Sequence, residues 1–348
     1  MLSKNLPELK NFTEAELRDF ALSIGEKAFR GTQIFRWISK GAKSFDDMSD
    51  IPQNLRNKLA ESVSIGNIIP VNRQISREDG TEKILFELGD KNYIETVFMK
   101  YKYGNSLCIS SQAGCRMGCE FCASGRLGLV RNLEAWEMFD QVIKVEEITG
   151  EKINHIVVMG TGEPFDNYEN LSVFLELIHQ QNGFNLSMRN ITVSTCGLVP
   201  GILRFAKDFP QVNLAVSLHS STDEARKKIM PIAKKYSLEE LISACNEYIK
   251  MTNRRITFEY AVVKGINDSD QDIRSLITLL RGMNAHVNLI PLNDTKETFL
   301  SSSGRKRAKE IAEMLVSSGI QSTVRRSLGR DIDAACGQLR LKKAQGKI

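Results

Sequence analysis

Three cysteines stand together in Cys115-Arg116-Met117-Gly118-Cys119-Glu120-Phe121-Cys122, separated by three and then two residues. A chain of this length and cysteine content would carry that spacing by chance in roughly three of a thousand cases, so a chemical reason is required. A short loop turned by Gly118 can aim three thiolates at three corners of an iron–sulfur cube, which leaves the fourth iron without a protein ligand. An iron open in this way can chelate a small molecule. The rival is a structural zinc knot, which needs a fourth Cys or His to close its tetrahedron. His155, His219 or Cys196 could supply that ligand in space.

Other residues able to do chemistry fall at the ends of predicted strands. Met159-Gly160-Thr161-Gly162-Glu163-Pro164 combines a carboxylate with glycines that permit close backbone approach. Ser194, the run Ser217-Leu218-His219, and Asn293 bring hydroxyl, imidazole and amide groups to later strand ends. Singly, each reads as a satisfied polar group; their common position gives them weight together. Of the remaining thiols, Cys196 and Cys245 read as small core hydrophobes. Cys108 stands near a strand end, and Cys336, flanked by Gly337 and acidic residues, reads as an exposed turn where a thiol can react. Glu95 reads by default as a solvated strand carboxylate.

The elements that must hold these groups follow from periodicity. Strands are predicted at 107–111, 156–159, 191–194, 214–218, 256–263 and 287–290, with helices at 133–147, 169–181, 202–207, 238–251, 270–283 and 304–318. Six strand–helix units make an α/β chain with a parallel, barrel-like sheet, and 322–326 is predicted as an edge strand. Reactive groups in such barrels gather at the carboxyl ends of the strands. Ahead of the barrel, residues 1–65 read as short helices at 13–24, the first with a Thr-Glu-Ala-Glu capping box, 32–39 and 53–62. Between 69 and 99, turn signals at Asp79-Gly80 and Gly89-Asp90 separate two or three strands, a β connector.

The chain has 348 residues, 42% hydrophobic and 26% charged, an ordinary globular composition without low-complexity runs. A net charge of +5 permits an anionic partner without demanding one. Seven cysteines, an odd number with three crowded together, argue against a secreted disulfide framework. The first ten residues carry Lys4, Glu8 and Lys10 without an apolar core, and no apolar stretch is of spanning length, so a cytoplasmic location without membrane association is expected.

The cysteine motif, with Phe121 before its last thiol and six strand–helix units behind it, resembles the radical S-adenosylmethionine superfamily. Within it, Ser110-Ser111-Gln112-Ala113-Gly114-Cys115, Asn288-Leu289-Ile290-Pro291-Leu292-Asn293 and the terminal Cys336 segment are similar to the RNA adenine methyltransferases of the RlmN/Cfr family, over nearly the whole chain. Thr161 departs from that family's pattern, which commonly has Met at this position. The resemblance implies a partial (β/α)6 barrel over residues 104–340, a connector at 66–103 and an RNA-binding helical domain at 1–65.

It also implies a [4Fe-4S] cluster on Cys115, Cys119 and Cys122, and two S-adenosylmethionine molecules per turnover, bound by Gly162, Glu163, Ser194, Ser217, Leu218, His219 and Asn293. Carbon 2 of adenine is electron-poor and does not displace methyl from a sulfonium, whereas a carbon radical can add to it. The resemblance therefore implies a methyl carried on Cys336 and activated there by hydrogen abstraction. The adduct with the base then loses a ring proton to Glu95 and is resolved by Cys108, which leaves a transient disulfide. The implied substrates are 23S ribosomal RNA, in its peptidyl transferase region, and transfer RNA at an adenine beside the anticodon. The implied electron donor is a flavodoxin or ferredoxin, and a monomer is assumed. Arg30, Arg36, Lys40, Arg325, Arg326, Arg330, Arg340, Lys342 and Lys343 are candidate phosphate partners, with solvated surface charge as the default. Two other readings stay open: methylation at carbon 8 by the same machinery, and a non-catalytic RNA-binding module with a structural metal.

Overall fold

Thr13 accepts the Glu16 N–H at 3.3 Å while the Glu16 carboxylate takes the Thr13 N–H at 2.8 Å, the capping box expected from the sequence. It starts α1 (Glu14–Ser23), which is followed by α2 (Phe29–Ser39) and α3 (Gln53–Ser62). The second helix begins three residues ahead of the predicted Thr32, at a start that Ala28 does not mark in the sequence with a side-chain cap. The structure, a computed structural model, describes residues 6–126, 128–292, 300–329, 331–332, 339, 343 and 346.

A meander of β1 (Ile69–Ile75), β2 (Glu82–Glu87) and β3 (Tyr93–Tyr101) leads into β4 (Gly104–Cys108). Then come β5 (Gln112–Gly114), α4 (Ala123–Arg126), β6 (Leu129–Asn132), α5 (Ala135–Thr149), β7 (His155–Val158) and α6 (Tyr168–His179). The barrel continues with β8 (Ile191–Thr195), α7 (Val199–Asp208), β9 (Asn213–Ser217), α8 (Asp223–Ile229) and α9 (Leu238–Thr252). It ends with β10 (Ile256–Val262), α10 (Asp270–Leu280), β11 (Ala285–Pro291), α11 (Gly304–Ser317) and β12 (Gln321–Val324).

Among the described residues, ten strands form one sheet in the order β1-β2-β3-β4-β7-β8-β9-β10-β11-β12, while β5 and β6 pair separately. The first four strands are antiparallel, and from β4 onward every pairing in the large sheet is parallel, so the six predicted units and the edge strand are all present. One predicted strand is displaced. Ile109 still bonds to Val157 O and Gly160 N, and the chain then turns out of the sheet at 110–111, where Ser111 and Gln112 donate their N–H groups to Thr161 O at 2.9 and 3.1 Å and Ser110 Oγ accepts from Thr161 N. The bend makes Cys108 the last residue of β4.

Alternation sorts the sheet into two faces. Leu107, Ile156, Val193, Leu214, Phe258 and Val287 are buried in an apolar core that also takes in α5, α6 and the N-terminal helices. That core is continuous from Leu9 to Ile320. The other face lines the barrel interior. After β12, Gly329 N donates to Asp79 and the Asp331 carboxylate accepts from Ser76 Oγ and Arg77 N. The chain thus runs from the β12 edge to the β1–β2 turn and ties the two open edges of the sheet together. Among the described residues, no helix is long and apolar enough to cross a membrane.

Candidate active site

Register alone places the predicted residues relative to one another. Directly opposed residues of neighbouring strands point to the same side, and so do residues two apart. Lys83 opposes Val97, which opposes Cys108, which opposes Val157, so Lys83, Glu95 and Cys108 share the inner face. Carried on through Thr192, the same rule puts Ser194 and Ser217 on it. Ser217 opposes Glu259, Glu259 opposes Asn288 and Asn288 opposes Thr323, so a polar row completes the interior.

Glu95 is not a solvated strand carboxylate. It is 4% exposed and lies 2.8 Å from Lys83 Nζ, and Ser110 Oγ donates to its backbone carbonyl at 2.7 Å. Cys108 is buried beside it on the next strand. Cys336 and Asn293 lie outside the described residues. On either side of position 336 the chain is held to the same meander, by Asp331 on Ser76 and by Lys343, whose Nζ stands 5.6 Å over the Tyr93 ring.

The cysteine loop lies beyond the end of β4. Gly118 there has φ +65°, a conformation that favours glycine. The Cys115 thiol is pushed up to about 12, first by burial and then by charge at Cys122 and Glu163. Cys119 is raised by burial and then by charge at Cys122 and Cys115. The three thiols therefore lie within electrostatic reach of one another, and ionising them together calls for compensating positive charge. Iron in a thiolate-bound cube supplies that charge, so the donor set fits the implied group. Among the described residues, no three thiol, imidazole or carboxylate groups converge closely enough to hold a single ion.

Glu163 is buried, and its carboxylate accepts from Cys196 N at 2.7 Å and Phe165 N at 3.0 Å. Burial raises its pKa, and no cation pairs with it among the described residues, so an ammonium ligand fits here. Gly162 has φ +118°, and a Cβ added there would lie 2.6 Å from Ser111 Oγ and 2.8 Å from Gln112 N. The close approach at this glycine is thus to the chain's own β4–β5 segment. Leu218 and His219 both donate their N–H groups to Glu259 O, at 3.0 and 3.2 Å. His219 accepts the Ala261 N–H on Nδ1 at 2.9 Å, meets Phe121 edge-on at 4.6 Å, and has its pKa lowered to about 3 by burial and then by Arg226. It is therefore a neutral imidazole with its proton on Nε2.

Cys196 and Cys245 are both buried among apolar side chains as expected, and Cys196 in addition donates its backbone N–H to Glu163 and lies within electrostatic reach of Cys119. One histidine departs from its sequence reading. His155 opens β7, at the end of the barrel away from the cysteine loop, with its ring against Tyr103. Sequence reasoning missed Lys83, Glu259 and Arg226. Hairpin register could have paired Lys83 with Glu95. The period-two pattern of β10 could have turned Glu259 inward; it is 6% exposed and takes the Asn288 amide at 2.9 Å. Arg226 looks like a surface charge in sequence, yet it is fully buried.

Residues 7–65 match the family model described as the ribosomal RNA large subunit methyltransferase N-terminal domain, and residues 109–277 match that of the radical SAM superfamily. The chain is 52% identical over 334 residues to a probable dual-specificity RNA methyltransferase RlmN of Clostridioides difficile (strain 630), covering 96% of this chain and 97% of the relative. It is 50% identical to the protein of the same description from Clostridium perfringens (strain 13 / Type A), covering 98% and 99%. A radical SAM methyltransferase crystal structure from Sphaerobacter thermophilus superposes with a TM-score of 0.90 at 42% identity, covering 95% of this chain and 98% of that one.

Proposed function

This chain belongs to the RlmN family of radical S-adenosylmethionine RNA methyltransferases, and we propose that it methylates carbon 2 of an adenine in 23S ribosomal RNA and of an adenine beside the anticodon in transfer RNA. The observation that carries the reading is the shared inner face of Glu95 and Cys108, with the chain pinned to the same meander on both sides of Cys336. When bound, a reduced iron–sulfur cluster and S-adenosylmethionine supply a radical that activates a methyl group for attack on an electron-poor ring carbon.

The chain's own residues do the rest. Cys115, Cys119 and Cys122 would hold the cluster; Gly162, Glu163, Ser194, Ser217, Leu218, His219 and Asn293 would hold the nucleoside cofactor. Cys336 carries the methyl, and after carbon–carbon bond formation the radical adduct gives back one electron, the one spent to generate the radical, while Glu95 takes the ring proton, its position fixed by Lys83. Cys108 then forms a bond to the Cys336 sulfur as the sulfur–carbon bond breaks; the bonding pair leaves with the carbon, which takes up a proton to complete the methyl group. The target base must be unstacked to reach the barrel mouth. The helical N-terminal region contributes RNA contacts, a flavodoxin- or ferredoxin-type protein supplies electrons, two cofactor molecules are used per turnover, and the enzyme works as a cytoplasmic monomer.

The test is to incubate the reconstituted enzyme with unmodified ribosomal and transfer RNA and locate the new methyl by mass spectrometry of the nucleosides. 2-Methyladenosine is expected. 8-Methyladenosine would replace the carbon 2 assignment with the carbon 8 one, and no methylation by a cluster-loaded enzyme would overturn both.

A further inference from the structure

Arg226 is a guanidinium with no access to solvent and no carboxylate in ion-pair range among the described residues. It lies on α8, a short helix capped by Thr222. Its Nε donates to Leu218 O at 3.1 Å, and one Nη donates to Cys196 O at 2.8 Å and Ser217 O at 3.3 Å. The other Nη is buried and has no hydrogen-bond partner among the described residues. Carbonyl dipoles at two strand ends hold the group in place without neutralising it, and a buried charge without a counter-charge is unfavourable.

The cysteine loop is packed against the far end of the same helix. Glu120 N donates to Ile229 O at 3.0 Å, and Ile229 and Met230 share one apolar cluster with Met117, Cys119, Phe121 and Cys196. A Cβ at Gly197 would lie 3.1 Å from the Arg226 guanidinium, so the charge also abuts the turn that carries Cys196.

We propose that Arg226 is a positioning residue and the built-in counter-charge of the thiolate-bound cluster, holding the carbonyls of Cys196, Ser217 and Leu218 while its positive charge stabilises the reduced cluster. The inference rests on the reading of the 115–122 loop as an iron–sulfur site and deepens it. A cube held by three thiolates is anionic and gains a further negative charge on reduction. Its potential follows net charge, hydrogen bonding and burial, and a fixed cation in a dry interior favours the added electron.

The experiment compares full-length wild type, Arg226→Gln and Arg226→Lys, each reconstituted anaerobically with iron and sulfide. The cluster midpoint is followed by EPR-monitored titration without S-adenosylmethionine, and thermal melts of the metal-free proteins report the fold. Arg226→Gln keeps a donor and loses the charge; its ratio of reduced to oxidised cluster at a fixed potential is expected to fall at least tenfold, about 59 mV for one electron. Arg226→Lys keeps the charge and loses the forked hydrogen bonds, so it is expected to restore most of that ratio even where its melting temperature falls. A midpoint in Arg226→Gln equal to wild type overturns the counter-charge assignment. So does an unchanged midpoint with weakened S-adenosylmethionine binding, which would assign the guanidinium to a ligand carboxylate. If wild type itself assembles no four-iron cluster, the reading of the loop fails, an outcome distinct from either.

Discussion

Lys83 Nζ lies 2.8 Å from Glu95 Oε2 with both side chains closed off from solvent, on strands whose register turns them toward Cys108. A buried pair broken on one side costs about 3–5 kcal/mol, whereas replacing both partners with apolar residues is often neutral. Lys83→Met and Glu95→Gln are each expected to lower the urea midpoint, and Lys83→Met/Glu95→Leu is expected to recover much of it. General-base catalysis contributes about 10²- to 10⁴-fold, so the recovered double variant should remain that much slower in RNA methylation. A stable double variant with wild-type turnover would reduce Glu95 to a structural role.

Lys10 and Asp140 form a second closed pair, 2.6 Å apart, in which Lys10 also donates to Gly66 O and Asp140 accepts from Ile68 N at 2.9 Å. This contact joins the N-terminal helices and the start of β1 to α5, within a core that runs without a break through both regions. Asp140→Asn is expected to destabilise the chain by about 3–5 kcal/mol. Trp37 in α2 and Trp136 in α5 report from the two sides. Their fluorescence and the far-ultraviolet dichroism should change in one coincident urea transition. Separate midpoints in wild type would argue for independently folding units.

Burial holds the His219 pKa at about 3, below its ordinary 6.5. Between these values the unfolded chain binds a proton that the folded chain does not, so stability falls as pH drops through that window and the loss stops below it. The slope is at most about 1.4 kcal/mol per pH unit for one group. Asn is the informative replacement, because it tolerates the positive φ of 53° and can accept the Ala261 N–H in place of Nδ1. Wild type should therefore lose stability more steeply than His219→Asn on acidification from pH 6.5 to 4. Parallel stability profiles for the two proteins would contradict the assignment.

The parallel barrel was legible because its strands are β-branched runs buried on the core face, such as Ile156 to Val158 and Ile191 to Val193. What escaped was set by tertiary contacts. The end of β4 depends on hydrogen bonds from residues 111 and 112 to Thr161, fifty positions away in the chain, and β5 is only three residues long. Alpha-helix α8 spans seven residues, too few for a periodic signal. The cysteine loop announced itself by spacing. Arg226 and Lys83 did not, because an isolated cation in a sequence looks the same whether solvent or a closed interior surrounds it.

Gly162 and Gly80 both have positive φ, +118° and +72°, but differ in what surrounds them. At Gly80 a Cβ would meet nothing within 4 Å, so Gly80→Ala should cost only backbone strain of about 1–2 kcal/mol. At Gly162 the Cβ would press on Ser111 Oγ and on the backbone nitrogen of Gln112, whose side-chain oxygen accepts the Glu163 N–H at 2.8 Å. Backbone cannot yield as a flexible side-chain tip can, so Gly162→Ala must move the segment that aims the Glu163 carboxylate. The expected signature is at least a tenfold loss of S-adenosylmethionine affinity by calorimetry on the reconstituted protein, with Gly80→Ala binding as wild type does. Equal binding by the two variants would mean that Glu163 does not depend on this glycine for its placement, and that the mouth of the barrel is built around other contacts.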